Sequence, residues 1–170
     1  MSRLDYNLDG YISREDYELM SKKFVEYSEL TEDQVEQTLH KFMKIADLLG
    51  LKPGVKIPIE EAAQQASKVL LSRISEQRKV IVHDSHNLLF DVLDTKNSGC
   101  ISLDEFKVYF HVIAPELSEL EIAHSFNSID VDKNGEITRE EFLSAAEDYL
   151  SGVEKTEVSE VFFGQLLDEA

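Results

Sequence analysis

Residues 130–141 read DVDKNGEITREE, and this stretch decides the fold more than any other part of the chain. Side chains that carry oxygen occupy its first, third and fifth positions, and a glycine follows at the sixth, where the backbone must tolerate positive φ. Position seven offers a backbone carbonyl, and position twelve is a glutamate long enough to give both oxygens to one ion. The candidate ligands are Asp130, Asp132, Asn134, Glu136 and Glu141. Because apolar residues at helical spacing flank the stretch, the pattern predicts a calcium-binding loop between two helices rather than a polar turn.

A second copy of the pattern, DYNLDGYISRED, covers residues 5–16. It repeats the oxygen-bearing side chains, the glycine at position six and a carboxylate at position twelve. The candidate ligands are Asp5, Asn7, Asp9, Tyr11 and Asp16. Asp16 is one methylene shorter than glutamate, and the single-oxygen contact that it favours would suit Mg²⁺ better than Ca²⁺. We therefore predict a cation site with a weaker preference for calcium.

A third copy, DTKNSGCISLDE, covers residues 94–105 and is less complete. Its candidate ligands are Asp94, Ser98, Cys100 and Glu105, and Cys100 would offer only its backbone carbonyl. Lys96 stands at position three, where an ammonium group removes one oxygen ligand and repels a cation. We expect this loop to bind calcium more weakly than residues 130–141.

The remaining copy, GLKPGVKIPIEE at residues 50–61, is the second loop in chain order, and it has lost its ligands. Gly50, Lys52 and Gly54 stand at positions one, three and five, and only Glu61 matches, at position twelve. We predict that this second loop of the chain binds no cation and has a structural role.

Isoleucine recurs at position eight of all four loops, and β-branched residues favour strands. This predicts short two-stranded ribbons that place Ile12 beside Ile57 and Ile101 beside Ile137. Pairing of this kind joins helix–loop–helix units, called EF-hands, two by two. The sequence therefore predicts an all-α protein of two packed EF-hand pairs, with four EF-hand-like repeats and a degenerate second loop.

The repeats predict an N-terminal pair over residues 1–76 and a C-terminal pair over residues 77–170, which ends in an extra amphipathic helix near Thr156–Leu167. Only Met1–Leu4 precede the first loop, so we expect the first hand to lack its incoming helix. Either the sequence is a truncated product or this hand is incomplete.

Local signals predict where two of the helices begin. Thr31 with Gln34, and Ser118 with Glu121, have the spacing of capping boxes. Gly50 is expected to end the helix that starts after Thr31.

Composition limits the partners. The chain has 34 acidic and 17 basic residues, and its formal charge of −17 repels nucleic-acid phosphate and anionic lipid. No apolar run approaches the roughly 20 residues of a membrane span. One cysteine excludes an intrachain disulfide, and the start lacks the apolar stretch of a signal peptide. We expect a cytoplasmic protein without nucleic-acid or membrane partners.

Two segments, DGYISREDYEL at residues 9–19 and ADLLGLKPGVKIPIEEA at residues 46–62, resemble the invertebrate sarcoplasmic calcium-binding proteins. The degenerate second loop and the aspartate at position twelve of the first strengthen the resemblance, which within that group is greatest to the coelenterazine-binding (luciferin-binding) proteins. It implies a compact pair of EF-hand lobes around an apolar interior that holds coelenterazine. It also implies that calcium triggers release of coelenterazine to a luciferase. Lys96 departs from the family pattern at the third loop.

The residues and the resemblance together leave two functions open. We predict a cytosolic calcium buffer, with a calcium-gated coelenterazine carrier as the alternative. For a carrier, the candidate lining residues also fit ordinary core positions; they are Phe24, Tyr27, Phe42, Phe90, Phe110, Phe126 and Phe162, with His86 or His111 for hydrogen bonds.

Two other classes of function fit the composition poorly. The chain has three methionines, whereas calmodulin-like sensors use methionine-rich grooves. It has no tryptophan, and its five histidines have no spacing typical of a catalytic triad, which argues against an enzyme, including a light-emitting photoprotein.

Overall fold

The structure, a computed structural model, describes residues 4–62 and 76–151, and within them helices alternate with short strands. The helices are α1 (Arg14–Tyr27), α2 (Glu32–Leu48), α3 (Glu76–Leu93), α4 (Leu103–Ile113), α5 (Glu119–Ile129) and α6 (Arg139–Ser151). The strands are β1 (Tyr11–Ser13), β2 (Lys56–Pro58), β3 (Cys100–Ser102) and β4 (Glu136–Thr138). A further helical stretch occupies residues 59–62. Each strand is three residues long and lies within one of the four loops, so the all-α class is confirmed.

The predicted capping boxes are present and begin their helices as expected. The Thr31 side chain accepts the backbone N–H of Gln34 while the Gln34 side chain accepts that of Thr31, and α2 follows. Ser118 and Glu121 make the same reciprocal pair before α5. Helix α2 ends at Leu48, and Gly50 adopts φ of +81°, a conformation that costs glycine least.

The two predicted ribbons are also present. β1 pairs with β2 in antiparallel register, with Ile12 opposite Ile57, and β3 pairs with β4, with Ile101 opposite Ile137. Ile101 and Ile137 are fully buried, whereas Ile57 is half-buried. The loops are therefore joined in the predicted pairs, the first with the second and the third with the fourth.

One apolar core runs through both pairs. Helix α1 packs on α2 and α4, and α2 packs on α3, so helices of the two pairs are in direct contact. The ring centroids of Phe24 and Phe42 lie 5.8 Å apart in the first pair, and those of Phe90 and Phe142 lie 5.7 Å apart in the second. Each of these four rings is almost completely buried.

Five of the aromatic candidates for a ligand pocket are buried, namely Phe24, Phe42, Phe90, Phe110 and Phe126. Tyr27 is 51% exposed, so its assignment to an interior is wrong. It is the last residue of α1 and turns to the surface, where the Lys23 ammonium lies 5.0 Å from its ring centroid. Phe162 and the helix predicted near Thr156–Leu167 lie outside the described residues.

The boundary expected between residues 76 and 77 falls at the start of α3 and stays a prediction. Leu4 lies in a turn just before the first loop, and residues 1–3 lie outside the described part of the chain. No helix in the described ranges is long and apolar enough to cross a membrane.

Candidate metal centres

The fourth loop, residues 130–141, gathers carboxylates from both of its ends. One oxygen each from Asp130, Asp132 and Glu141 lie within 4.8 Å of one another. Asp130 is 2% exposed, and it is held in place because its two oxygens accept the backbone N–H groups of Asn134, at 3.2 Å, and Gly135, at 2.9 Å. Hard oxygen donors that converge in this way fit Ca²⁺. Within 4–62 and 76–151, this is the one group of three acidic, histidine or cysteine side chains that meets that distance.

Gly135 makes the turn of this loop possible. Its φ is +87°, in the left-handed region that side chains with a Cβ rarely adopt. The turn points its N–H back at Asp130, the first residue of the loop. The motif therefore needs glycine at position six for backbone conformation.

Glu141 closes the loop from the first turn of α6. One of its oxygens accepts the backbone N–H groups of Val131, at 3.0 Å, and Asp132, at 3.4 Å; the other accepts the N–H and hydroxyl of Thr138, at 2.9 and 2.7 Å. Burial raises the pKa of Glu141, but these hydrogen bonds, led by those from Thr138, outweigh it, and the pKa lies below its ordinary value. Glu141 is therefore an ionised carboxylate at neutral pH.

The remaining predicted ligands of the fourth loop are arranged around this cluster. The side-chain amide of Asn134 donates to Asp132 at 3.0 Å, and its oxygen accepts the backbone N–H of Glu136 at 2.8 Å. Glu136 begins β4, and its own side chain is exposed. Asn134 is thus in contact with the carboxylates, while the backbone carbonyl of Glu136 stays a predicted ligand.

The first loop, residues 5–16, has the same internal bonding. The oxygens of Asp5 accept the N–H groups of Asp9 and Gly10, both at 3.0 Å. Asp16 is completely buried, and its oxygens accept the N–H groups of Tyr6, Asn7 and Ser13, as well as the Ser13 hydroxyl, over 2.8–3.2 Å. The shorter aspartate therefore makes the closing contacts that Glu141 makes in the fourth loop.

Asp9, the fifth residue of the first loop, has a partner that the sequence reasoning missed. One of its oxygens accepts the Tyr11 N–H at 3.0 Å, and the other accepts the Lys56 ammonium at 2.6 Å. The hydrogen bond from Lys56 is the main cause that lowers the pKa of Asp9. Lys56 belongs to the second loop and lies opposite Ser13 in the ribbon. A lysine at position seven of the paired loop is the signal that could have revealed this contact.

The third loop, residues 94–105, is folded in the same way but has fewer carboxylates. Asp94 accepts the N–H groups of Ser98 and Gly99, both at 2.8 Å. The Ser98 hydroxyl donates to the Cys100 carbonyl at 2.9 Å, so two predicted ligands bond to each other. Burial, followed by nearby Glu136, raises the pKa of the Cys100 thiol, which keeps it protonated.

Glu105 closes the third loop as Glu141 closes the fourth. Its oxygens accept the Thr95 hydroxyl at 2.9 Å, the Lys96 N–H at 3.1 Å, and the N–H and hydroxyl of Ser102 at 2.9 and 2.7 Å. Burial raises the pKa of Glu105, but these hydrogen bonds outweigh it and lower the pKa overall. The Lys96 side chain supplies no oxygen, so the third loop brings two carboxylates where the fourth brings three.

The second loop, residues 50–61, keeps the turns without the ligands. Gly50 and Gly54 both have positive φ, at +81° and +83°, and no carboxylate stands at positions one, three or five. Glu61 is exposed.

A polar surface pocket of about 390 Å³ adjoins the fourth loop. Its lining is His124, Asn127, Ser128, Asp130, Lys133 and Gly135. Among the aromatic candidates that the structure describes, none contributes to this lining.

Comparison with known proteins agrees with this geometry. A profile described as "EF-hand domain pair" matches residues 85–147. The luciferin-binding protein of Renilla reniformis is 40% identical over 167 residues, which cover 98% of this chain and 90% of that protein. A sarcoplasmic calcium-binding protein of Perinereis vancaurica tetradentata is 25% identical over 113 residues, 66% of this chain and 64% of that protein.

The coelenterazine-binding protein of Renilla muelleri, whose crystal structure is of the calcium-loaded apo form, has the same fold. The two structures superpose with a TM-score of 0.85 at 40% identity, over 95% of this chain and 89% of that one. These matches group the chain with EF-hand calcium-binding proteins. The chain therefore belongs to the EF-hand calcium-binding proteins, in the family that includes the luciferin-binding protein of Renilla reniformis.

Proposed function

We propose that this protein carries coelenterazine, or a closely related luciferin, in its apolar interior and releases it to a luciferase when its loops bind calcium. The observation that supports this most is the 40% identity to the Renilla luciferin-binding protein over nearly the whole of both chains. Calcium binding through EF-hands is common to the carrier and to a plain buffer. The similarity to a ligand carrier favours the carrier over the buffer that the sequence alone predicts.

The proposed calcium ligands lie in three loops. In the fourth loop, Asp130, Asp132 and Glu141 provide carboxylate oxygens, Asn134 provides its amide oxygen and Glu136 its carbonyl. Asp5, Asn7, Asp9, Tyr11 and Asp16 have the corresponding roles in the first loop, and Asp94, Ser98, Cys100 and Glu105 in the third. We propose that the fourth loop has the highest affinity, because its three carboxylates already converge.

The first loop is the one that we propose to accept Mg²⁺ as well. Asp16 is completely buried, and both of its oxygens already hold hydrogen bonds across the loop. A short, buried side chain with these partners has less freedom to turn both oxygens towards a large ion. Mg²⁺ asks for six ligands at shorter distances, and a single aspartate oxygen satisfies it.

A physical route connects the fourth loop to the interior. Glu141 is followed in α6 by Phe142, whose ring is 2% exposed and packs on Phe90 of α3. The Arg139 guanidinium, two residues before Glu141, lies 4.2 Å from the Phe90 ring centroid. A shift of Glu141 towards an ion would therefore move the start of α6 against aromatic side chains of the core. Because packed cores rearrange between discrete states, a small shift can change whether the interior accepts a ligand.

The test is retention of coelenterazine by calcium-free protein. The full chain is mixed with coelenterazine and passed through a gel-filtration column, and the absorbance of bound ligand is recorded before and after calcium is added. We expect ligand to co-elute with the protein and to separate from it when calcium is present. A folded protein, checked by circular dichroism, that retains no ligand would contradict the carrier and leave a calcium buffer.

A matched pair of variants tests the gate itself. Glu141→Gln removes a charge at the carboxylate cluster, whereas Glu140→Gln removes the same charge from an exposed neighbour. We expect the first variant to retain coelenterazine and to need more calcium for release. The second should release like the unchanged chain. Equal calcium requirements in all three proteins would show that the fourth loop does not control release.

A further inference from the structure

The second loop, which lacks calcium ligands, places a positively charged lysine side chain against the first loop. The Lys56 ammonium lies 2.6 Å from a carboxylate oxygen of Asp9. Asp9 is the fifth residue of the first loop and one of its candidate ligands. Its other oxygen is already bonded to the Tyr11 N–H. Both oxygens of this ligand are therefore engaged within the protein.

The β1–β2 ribbon explains how Lys56 reaches Asp9. In each ribbon, the residue at position seven of one loop lies opposite position nine of its partner; Lys56 lies opposite Ser13 in this way. The lysine side chain also passes over the Tyr11 ring, with its nitrogen 5.6 Å from the ring centroid. Its position is thus defined by backbone pairing and by an aromatic contact as well as by charge.

The other ribbon has no lysine at this place. The corresponding residues are Cys100, which faces the fourth loop, and Glu136, which faces the third. In the fourth loop the fifth residue is Asn134, which bonds to backbone and to Asp132 and meets no ammonium group among the described residues. The contact with a lysine is therefore particular to the first loop.

We propose that Lys56 acts as a tethered competing cation that lowers the affinity of the first loop for calcium. An ion in this loop needs an oxygen from Asp9, so it must displace the ammonium group or accept it as a close like-charged neighbour. Either event makes the free energy of calcium binding to the first loop less favourable, and the fourth loop has no such cost. The degenerate loop thus raises the calcium concentration at which the loop paired with it fills.

The expected effect is modest, because Lys56 is about half exposed and water screens the pair. Exposed ion pairs of this kind correspond to affinity changes of roughly two- to fivefold. That factor shifts the calcium concentration at which the first loop fills. Loss of the ion pair should leave the fold intact, because residue 56 keeps its place through backbone pairing in the ribbon.

The test follows each loop separately by NMR of the full-length, ¹⁵N-labelled protein. The backbone N–H groups of Gly10, Gly99 and Gly135 each donate to the first aspartate of their own loop. Each amide signal therefore reports cation binding in one loop. Calcium chloride is added to calcium-free protein at chelator-buffered free concentrations, and the midpoint of each transition is recorded.

We expect Lys56→Gln to lower the midpoint for Gly10 about two- to fivefold and to leave that for Gly135 unchanged. Lys52→Gln is the matched control, because Lys52 is exposed in the same loop and forms no ion pair with the described residues. Lys56→Arg keeps the charge and should keep the original midpoint.

Three results would overturn the proposal. The first is a Gly10 midpoint that is the same with and without Lys56. The second is a shift in Lys56→Arg as large as that in Lys56→Gln, because the effect would then come from packing and not from charge. The third is a Gly10 signal that responds to calcium in none of the proteins. The inference rests on cation binding by the first loop, and none of these results depends on whether the protein retains coelenterazine.

Discussion

At the scale of single residues, the twelfth residue of each candidate calcium loop has a structural role beside the ligand role that we propose for it. In the fourth loop, Glu141 belongs to the carboxylate cluster, and it also accepts the backbone N–H of Thr138, the residue that caps α6. Asp16 and Glu105 make the same bond to Ser13 and Ser102. This residue is therefore both a candidate ligand and the third residue of a capping box. The two roles link ion binding to the start of the outgoing helix.

The double role leads to a prediction for Glu141→Gln. The single amide oxygen of glutamine can still accept the capping hydrogen bonds from Thr138, but its NH2 group cannot accept those from Val131 and Asp132, and one of three converging charges is lost. Changes to groups that only support a metal ligand cost about 10–100-fold in affinity. Loss of a charged ligand should therefore weaken calcium binding in the fourth loop by more than about tenfold. The measurement is a calcium titration that follows the Gly135 amide.

Glu140→Gln is the control for this change, because it removes the same charge from an exposed side chain one residue away. Its affinity at the fourth loop should stay within about twofold of the original, as expected for a screened surface charge. Equal losses in the two variants would mean that overall charge, and not the carboxylate cluster, determines the affinity.

At the scale of elements, the ribbons join the loops two by two, but the two ribbons are not equally buried. Ile101 and Ile137 are both fully buried at the centre of the β3–β4 ribbon. In the β1–β2 ribbon, Ile12 is buried while Ile57 is half-buried. The pair with two candidate calcium loops therefore has the better packed junction.

This difference predicts unequal costs for the same substitution. Removing one methyl group from a fully buried isoleucine costs about 0.5–1.5 kcal/mol, so Ile137→Val should lower the free energy of unfolding by about 1 kcal/mol. Ile57→Val should cost less than half of that, because part of the side chain is already in water. Urea denaturation of the calcium-free protein measures both. A larger loss for Ile57→Val would show that the less buried β1–β2 ribbon contributes more to stability than the β3–β4 ribbon.

The elements that sequence predicts well are those set by short-range chemistry. Loop turns need glycine at one position, and capping boxes need a reciprocal pair three residues apart, so Thr31 and Ser118 could be recognised without a structure. The Lys56–Asp9 contact and the exposure of Tyr27 depend on which elements meet in space. Helical spacing assigns Tyr27 to the same face as Phe24, but it does not show that α1 ends at Tyr27 and that this side chain turns to the surface.

At the scale of the whole molecule, two EF-hand pairs share one core, and contacts between them reach the loops. The Gln34 side chain of α2 donates to the Thr95 carbonyl in the third loop at 2.8 Å. Lys41, also in α2, donates to the carbonyl of Asp91 in α3. Helix α2 of the first pair therefore contacts both the third loop and the end of α3 that leads into it. These contacts are where we expect ion binding in one pair to affect the other.

The carrier proposal requires that calcium and coelenterazine oppose each other. If calcium weakens coelenterazine binding, then bound coelenterazine must weaken calcium binding by the same factor, because the coupling between two sites is reciprocal. A useful gate has a coupling of about 5–150-fold. A buffer with an unrelated apolar core would show no coupling.

The most direct measurement is the calcium affinity of the protein, by titration calorimetry, with and without saturating coelenterazine. We predict that coelenterazine lowers the calcium affinity at least about fivefold, and that this factor matches the loss of coelenterazine affinity in calcium. Calcium affinities that are the same in both conditions would contradict a calcium-gated carrier.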